Sequence, residues 1–202
     1  MKNRSEIQHH DRMKKVQAAQ ARKLARKTVE KGLIIVHSGN GKGKSSAAFG
    51  LAIRAMGHGM KVGVVQFIKG AMTTGEKAMF DQFPALVEFK PMGEGFTWDT
   101  QDRARDMAVA AAAWEEVKRM IADPSYAMVI ADELNIVLRY DYLPLDDVLE
   151  TLAAKPAMKH VVITGRHAPE ALIDAADLVT EMRLVKHPFR EQNVKAQAGI
   201  EF

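Results

Sequence analysis

The chain has no cysteine. Disulfides, thiolate metal centres and cysteine nucleophiles are therefore excluded. No apolar run approaches the roughly 20 residues of a membrane-spanning helix. The first residues are charged and lack the apolar stretch of a secretory signal. These absences point to the cytoplasm. No internal repeat is visible. Glycine and proline are both missing from residues 1–31. What is present suits one α/β domain with an extension: 202 residues, 47% apolar and 27% charged.

The net charge of +4 is unevenly placed. Residues 1–32 hold ten Lys/Arg against three Asp/Glu, a net of +7, so the remainder is weakly acidic at −3. The basic character belongs to the extension. Rich in Ala, Gln, Lys and Arg, the extension favours a helix, at least from Asp11 to Lys31. Its apolar positions, among them Met13, Val16, Leu24 and Val29, are too sparse for a core-facing stripe. A disordered tail, a nucleic-acid-binding arm and a helix docked over an anionic site all remain open, with composition favouring the tail.

One stretch organises the rest. His37-Ser38-Gly39-Asn40-Gly41-Lys42-Gly43-Lys44-Ser45-Ser46 follows the apolar run Leu33–Val36 and precedes a helical run from Ala47 to Met56. Strand, glycine-rich loop and helix are the context of a phosphate-binding loop. Its amides and the helix N-terminus favour an anion. Lys44 adds a mobile cation, and Ser45 a hydroxyl able to ligate Mg²⁺. One glycine is missing from the usual G-x-x-x-x-G-K-[ST] pattern. Residue 38 is serine, so only three residues separate Gly39 from Gly43.

Further strands are expected at Lys61–Ile68, Val87–Phe89, Tyr126–Ala131, His160–Thr164 and Leu178–Leu184. Helices are expected at Glu76–Phe83, from Asp99 or Thr100 to Ala122, from Pro144 to Ala154 and from Pro169 to Ala176. The tail from Lys186 reads as irregular. This alternation predicts an α/β fold of the P-loop NTPase kind, a mainly parallel sheet flanked by helices. Residues 1–31 form the extension and 32–202 the domain. Asp132-Glu133, at a strand's C-terminal end, can reach a metal held by Ser45 or favour a helix dipole. Arg54 can face solvent or the nucleotide. Phe96 and Trp98 either anchor a loop or present a stacking surface. Thr164-Gly165-Arg166-His167 leaves a strand on the ligand edge.

Gly-Asn-Gly-Lys-Gly-Lys-Ser-Ser, Gly-Phe-Thr-Trp, Ala-Asp-Glu-Leu-Asn, Thr-Gly-Arg-His-Ala-Pro and the terminal Lys-Ala-Gln-Ala-Gly-Ile-Glu-Phe resemble the ATP:corrinoid adenosyltransferases of the cobalamin pathway. The resemblance runs from about residue 10 to 202. It implies transfer of the 5′-deoxyadenosyl group of ATP to the cobalt of cob(I)alamin or a precursor corrinoid, with release of triphosphate. It implies ATP contacts from Gly39, Asn40, Gly41, Lys42, Gly43, Lys44, Ser45 and Ser46, with Arg54 and Arg166 as further candidates. Lys44 and Glu133 are the implied catalytic groups. Mg²⁺ falls to Ser45 and Glu133, with Asp132 close by, and the corrinoid wedge to Phe96 and Trp98. The nucleotide is expected to lie reversed relative to ordinary phosphate-loop enzymes. A homodimer, a neighbour's site covered by the N-terminal helix, and an external electron donor such as a flavoprotein are also implied. An ordinary phosphate-loop ATPase or small-molecule kinase is the chief alternative. A nucleotide-gated nucleic-acid-binding protein is disfavoured by the acidic body.

Overall fold

The computed structural model describes residues 4–68, 74–93 and 102–201. The chain divides into two compact units, Met1–Lys31 and Gly32–Phe202. In the first, helix α1 spans Arg4–Ala25. It begins earlier and ends earlier than the composition suggests; Thr28 and Val29, two β-branched residues, follow its end. Met13, Val16 and Leu24 lie exposed along it.

The second unit is a six-stranded parallel sheet in the order β3-β2-β4-β5-β1-β6. The strands are β1 (Ile34–Ser38), β2 (Lys61–Gln66), β3 (Val87–Pro91), β4 (Tyr126–Asp132), β5 (His160–Thr164) and β6 (Leu178–Glu181). Helices cross between them: α2 (Lys44–Gly57), α3 (Gly75–Phe80), α4 (Arg103–Ala122), α5 (Leu134–Arg139), α6 (Leu145–Ala153) and α7 (Glu170–Ala175), with α8 (Pro188–Gln192) in the tail. α5 and α8 were not expected from the sequence. α5 is a single short piece whose apolar residues merge with the preceding strand pattern. Thr74 and Asp102 cap α3 and α4, accepting hydrogen bonds from the amides of Lys77 and Arg105. The Asp102 cap sets α4 to begin later than expected, and the Thr74 cap sets α3 to begin one residue earlier.

Strand alternation sorts the core onto two faces. Ile34 and Val36 join α4 residues Ala113, Trp114 and Val117 on one face, together with Val148 and Leu152 of α6. Ile35 turns the other way, to Ala48, Phe49 and Ala52 of α2 and Phe80 of α3. Phe49 and Phe80 meet edge-to-face at 5.7 Å. The parallel, doubly covered strands explain why the sequence reads as apolar runs rather than alternation.

Two histidines on these strands set an acid response. The Leu33 amide donates to Nδ1 of His160 at 3.1 Å. That bond requires Nδ1 to be unprotonated. Burial, with Lys155 adding to it, holds His160 below its ordinary 6.5; burial alone does so for His37. Below that ordinary value, the unfolded chain takes up protons that the folded chain resists. Stability therefore falls as pH drops from 7.5 to 5.5, read as a lower urea midpoint. His160→Asn, whose Oδ1 can replace Nδ1 as acceptor, is expected to flatten part of that fall.

Candidate active site at the C-terminal edge of the sheet

Because every strand is parallel, the ends of β1, β2, β4 and β5 open on one edge. β1 passes directly into the loop 39–43, and α2 begins at Lys44. Gly39 and Gly43 both adopt left-handed backbone, with φ of 102° and 104°. The loop is tied to the segment leaving β6. The Met182 amide donates to the Ser38 carbonyl at 2.8 Å, and the Gly41 amide to the Met182 carbonyl at 2.7 Å. A Cβ on Gly39 would stand 2.4 Å from the Met182 carbonyl oxygen, and one on Gly41 2.7 Å from it. The short spacing thus belongs to a loop drawn against the backbone beyond β6.

Gly39→Ala meets both a positive φ and this backbone wall, and is expected to lose MgATP binding by calorimetry. Gly50→Ala is the matched control. Gly50 is exposed on α2 and a Cβ there meets nothing within 4 Å. It should bind normally and gain about 0.5–1 kcal/mol of stability.

Lys44 is buried, and its Nζ donates to the Gly41 carbonyl at 2.6 Å. Burial pushes its ammonium below the usual lysine value; Glu133 opposes this, while Arg166 and Lys42 add to it. A partly desolvated cation with cationic neighbours gains strongly from an incoming polyanion. Lys42 is exposed and forms an ion pair with Glu201. The loop, Gln66, Glu133, Arg166 and Glu201 line one cavity of about 500 Å³. Arg166 also lines a second, of about 600 Å³, with Asn40, Arg183 and Arg190.

The acidic pair divides its labour. Asp132 is fully buried. Its Oδ2 accepts from Gln66 Nε2 at 2.8 Å and its Oδ1 from the Thr164 hydroxyl at 2.7 Å. The same hydroxyl accepts from the Glu133 amide at 2.9 Å. Glu133 takes left-handed backbone, φ 65°, at the start of α5. A relay from Gln66 through Asp132 and Thr164 therefore pins the turn that places Glu133 on the cavity wall. Asp132, expected close to the metal, is not among the residues lining that cavity; each of its oxygens accepts a hydrogen bond in the relay.

Ser45 and Glu133 offer hard oxygen donors to one cavity and so fit a divalent cation arriving with a nucleotide. Among the described residues, no three His, Asp or Glu side chains converge as a stand-alone metal site.

The sequence profile described as ATP:corrinoid adenosyltransferase BtuR/CobO/CobP matches residues 30–202. The chain belongs to this adenosyltransferase family. It is 57% identical over 194 residues to the corrinoid adenosyltransferase of Pseudomonas aeruginosa, covering 96% of this chain and 95% of that one. A Sinorhizobium corrinoid adenosyltransferase is 54% identical, covering 98% and 94%. The corrinoid adenosyltransferase CobA of Salmonella typhimurium is 48% identical, covering 98% and 100%.

Against the residues expected for such an adenosyltransferase, the structure gathers Gly41, Lys42, Gly43, Lys44, Ser45, Ser46, Glu133 and Arg166 around one cavity. Gly39 shapes its loop, and Asn40 faces the second cavity. Arg54 is not brought there. It is exposed in the last turn of α2, about 13 Å along the helix from Ser45 at 1.5 Å per residue. Phe96 and Trp98 lie outside the described residues. Gln66, Thr164 and Glu201 join the site without having been assigned a role from sequence. Gln66 was hidden inside a strand expected to continue to Ile68.

Proposed function

We propose that this chain transfers the 5′-deoxyadenosyl group of ATP to the cobalt of a reduced corrinoid. Family membership along nearly the whole chain carries the reading. Cobalt(I) supplies the electron pair that forms the bond to C5′. The C5′–oxygen bond breaks, and triphosphate leaves with those electrons. The nucleophile needs no side-chain base. The protein's tasks are alignment and neutralisation of charge on the leaving oxygens. Lys42, Lys44, Arg166 and the loop amides serve the second task. Ser45 and Glu133 hold Mg²⁺, which as a Lewis acid further neutralises the triphosphate.

Phe96 and Trp98 act as the aromatic wedge against the corrinoid, favouring loss of cobalt's lower ligand so that an external donor, such as a flavoprotein, can reduce it. The active unit is a homodimer, with α1 covering the corrinoid of the neighbouring subunit. Location in the cytoplasm is consistent with the described residues, among which no helix is long and apolar enough to cross a membrane.

The deciding experiment is anaerobic. Protein, MgATP and chemically reduced cobalamin are mixed, and the products identified by mass and by the corrinoid spectrum. A light-sensitive adenosyl–cobalt species with one triphosphate per turnover is the expected result. Release of phosphate or ADP without alkylation would favour the ATPase or kinase reading. If cobalamin is inert, cobinamide and an a,c-diamide corrinoid decide which acceptor is used.

A further inference from the structure

The two lysines of the phosphate loop are both engaged by oxygens of the chain itself. Lys44 is held by the Gly41 carbonyl within the loop. Lys42 is held by a carboxylate 159 residues away, that of Glu201. Ile200 and Glu201 both line the phosphate-loop cavity. The terminal segment therefore forms part of the cavity wall and places a negative charge where the loop otherwise recruits one. A local turn keeps it there, with the Glu201 amide donating to the Gln197 carbonyl at 2.9 Å. Gly199, at φ 79°, permits the bend between them.

We propose that Glu201 sets nucleotide affinity by competing with phosphate for Lys42. This rests on the assignment of the loop to ATP. An entering triphosphate exchanges one anionic partner of Lys42 for another, and the terminal segment is displaced from the loop. After transfer, the same carboxylate returns to Lys42 and helps to expel the triphosphate. Charge decides the direction. A polyanion sharing the cavity with a fixed carboxylate is repelled until that carboxylate moves away. The opposing gain is small, because an ion pair as exposed as Lys42–Glu201 is screened by solvent. The contact thus tunes affinity without closing the site. The neutral Glu201→Gln variant keeps the shape of the side chain and removes the competition.

The test is calorimetry of MgATP and of inorganic triphosphate, without corrinoid, on the full-length wild type, Glu201→Gln and Glu201→Asp. Glu201→Gln is expected to bind both ligands about three- to tenfold more tightly, with Glu201→Asp close to wild type. Hydrogen exchange supplies a second readout. In the wild type, MgATP should speed exchange of the amides of residues 194–201. Unchanged or weaker binding by Glu201→Gln would overturn the proposal, as would protection of residues 194–201 by MgATP. The latter would mean that the segment closes over the nucleotide. If the wild type binds neither ligand, the assignment of the loop to ATP fails instead.

Discussion

Lys44→Ala is expected to abolish adenosyl transfer while leaving the apo-protein about as stable as before. The two halves of this result have separate origins. Lys44 is buried in a site where its charge is disfavoured by burial and by the neighbouring Arg166 and Lys42. Its removal relieves that cost and leaves one carbonyl, that of Gly41, without its donor. These changes oppose each other, so the melting temperature without nucleotide should move little. Catalysis has no such offset. The departing triphosphate loses the cation at the N-terminus of α2, and removal of one preorganised donor of this kind costs about 10²–10³ in rate. MgATP should also lose its ability to raise the melting temperature of the variant, since a ligand stabilises only the fold that binds it. Steady-state turnover and thermal shift with and without MgATP check both halves. A destabilised apo-protein would show that Lys44 is chiefly structural; retained turnover would remove it from the site.

The phosphate loop was legible in the sequence because its chemistry is local. Strand, glycines, lysine and hydroxyl lie within 13 residues, from Leu33 to Ser45, and backbone geometry follows from them directly. The parallel sheet was legible for a similar reason, since each buried strand is a short apolar run bounded by a helix. What sequence could not show is which strand ends meet. Gln66, Asp132 and Thr164 belong to three strands and become a relay only through the order β2-β4-β5. In the sequence, Glu133 reads as the metal-bearing carboxylate with Asp132 merely close by. The left-handed turn at Glu133 separates them, sending one carboxylate to the cavity and the other into the sheet. Arg54 had the right charge in the right helix, but about two and a half turns of helix carry it away from Ser45. Glu201 illustrates the opposite case: 159 residues from Lys42 in sequence, it is held against it by the course of the tail.

The relay gives a second large effect, which separates the cavity-facing carboxylate from the one that supports it. Glu133→Gln leaves the backbone, the Thr164 bond and the buried network in place, yet removes the charged oxygen donor from the cavity. Turnover should fall by about 10²-fold or more, and raising Mg²⁺ should recover part of it, because the loss includes metal affinity. Folding stability should stay near that of the wild type. Thr164→Val acts on the other side. It conserves shape but deletes the acceptor for the Glu133 amide and the donor to Asp132. Two buried polar groups lose their partner, each costing about 1–3 kcal/mol, so the urea midpoint should drop. Activity falls as well, because the turn at φ 65° is no longer pinned, and added Mg²⁺ should not restore it. Thr164→Ser returns the hydroxyl and should rescue both properties. The decisive comparison is the Mg²⁺ dependence of turnover set beside the urea midpoint for the three variants. Equal Mg²⁺ rescue of Glu133→Gln and Thr164→Val would mean that the relay and the cavity carboxylate act as one ligand set. Separate responses would establish that Asp132 and Thr164 work by holding Glu133 in position.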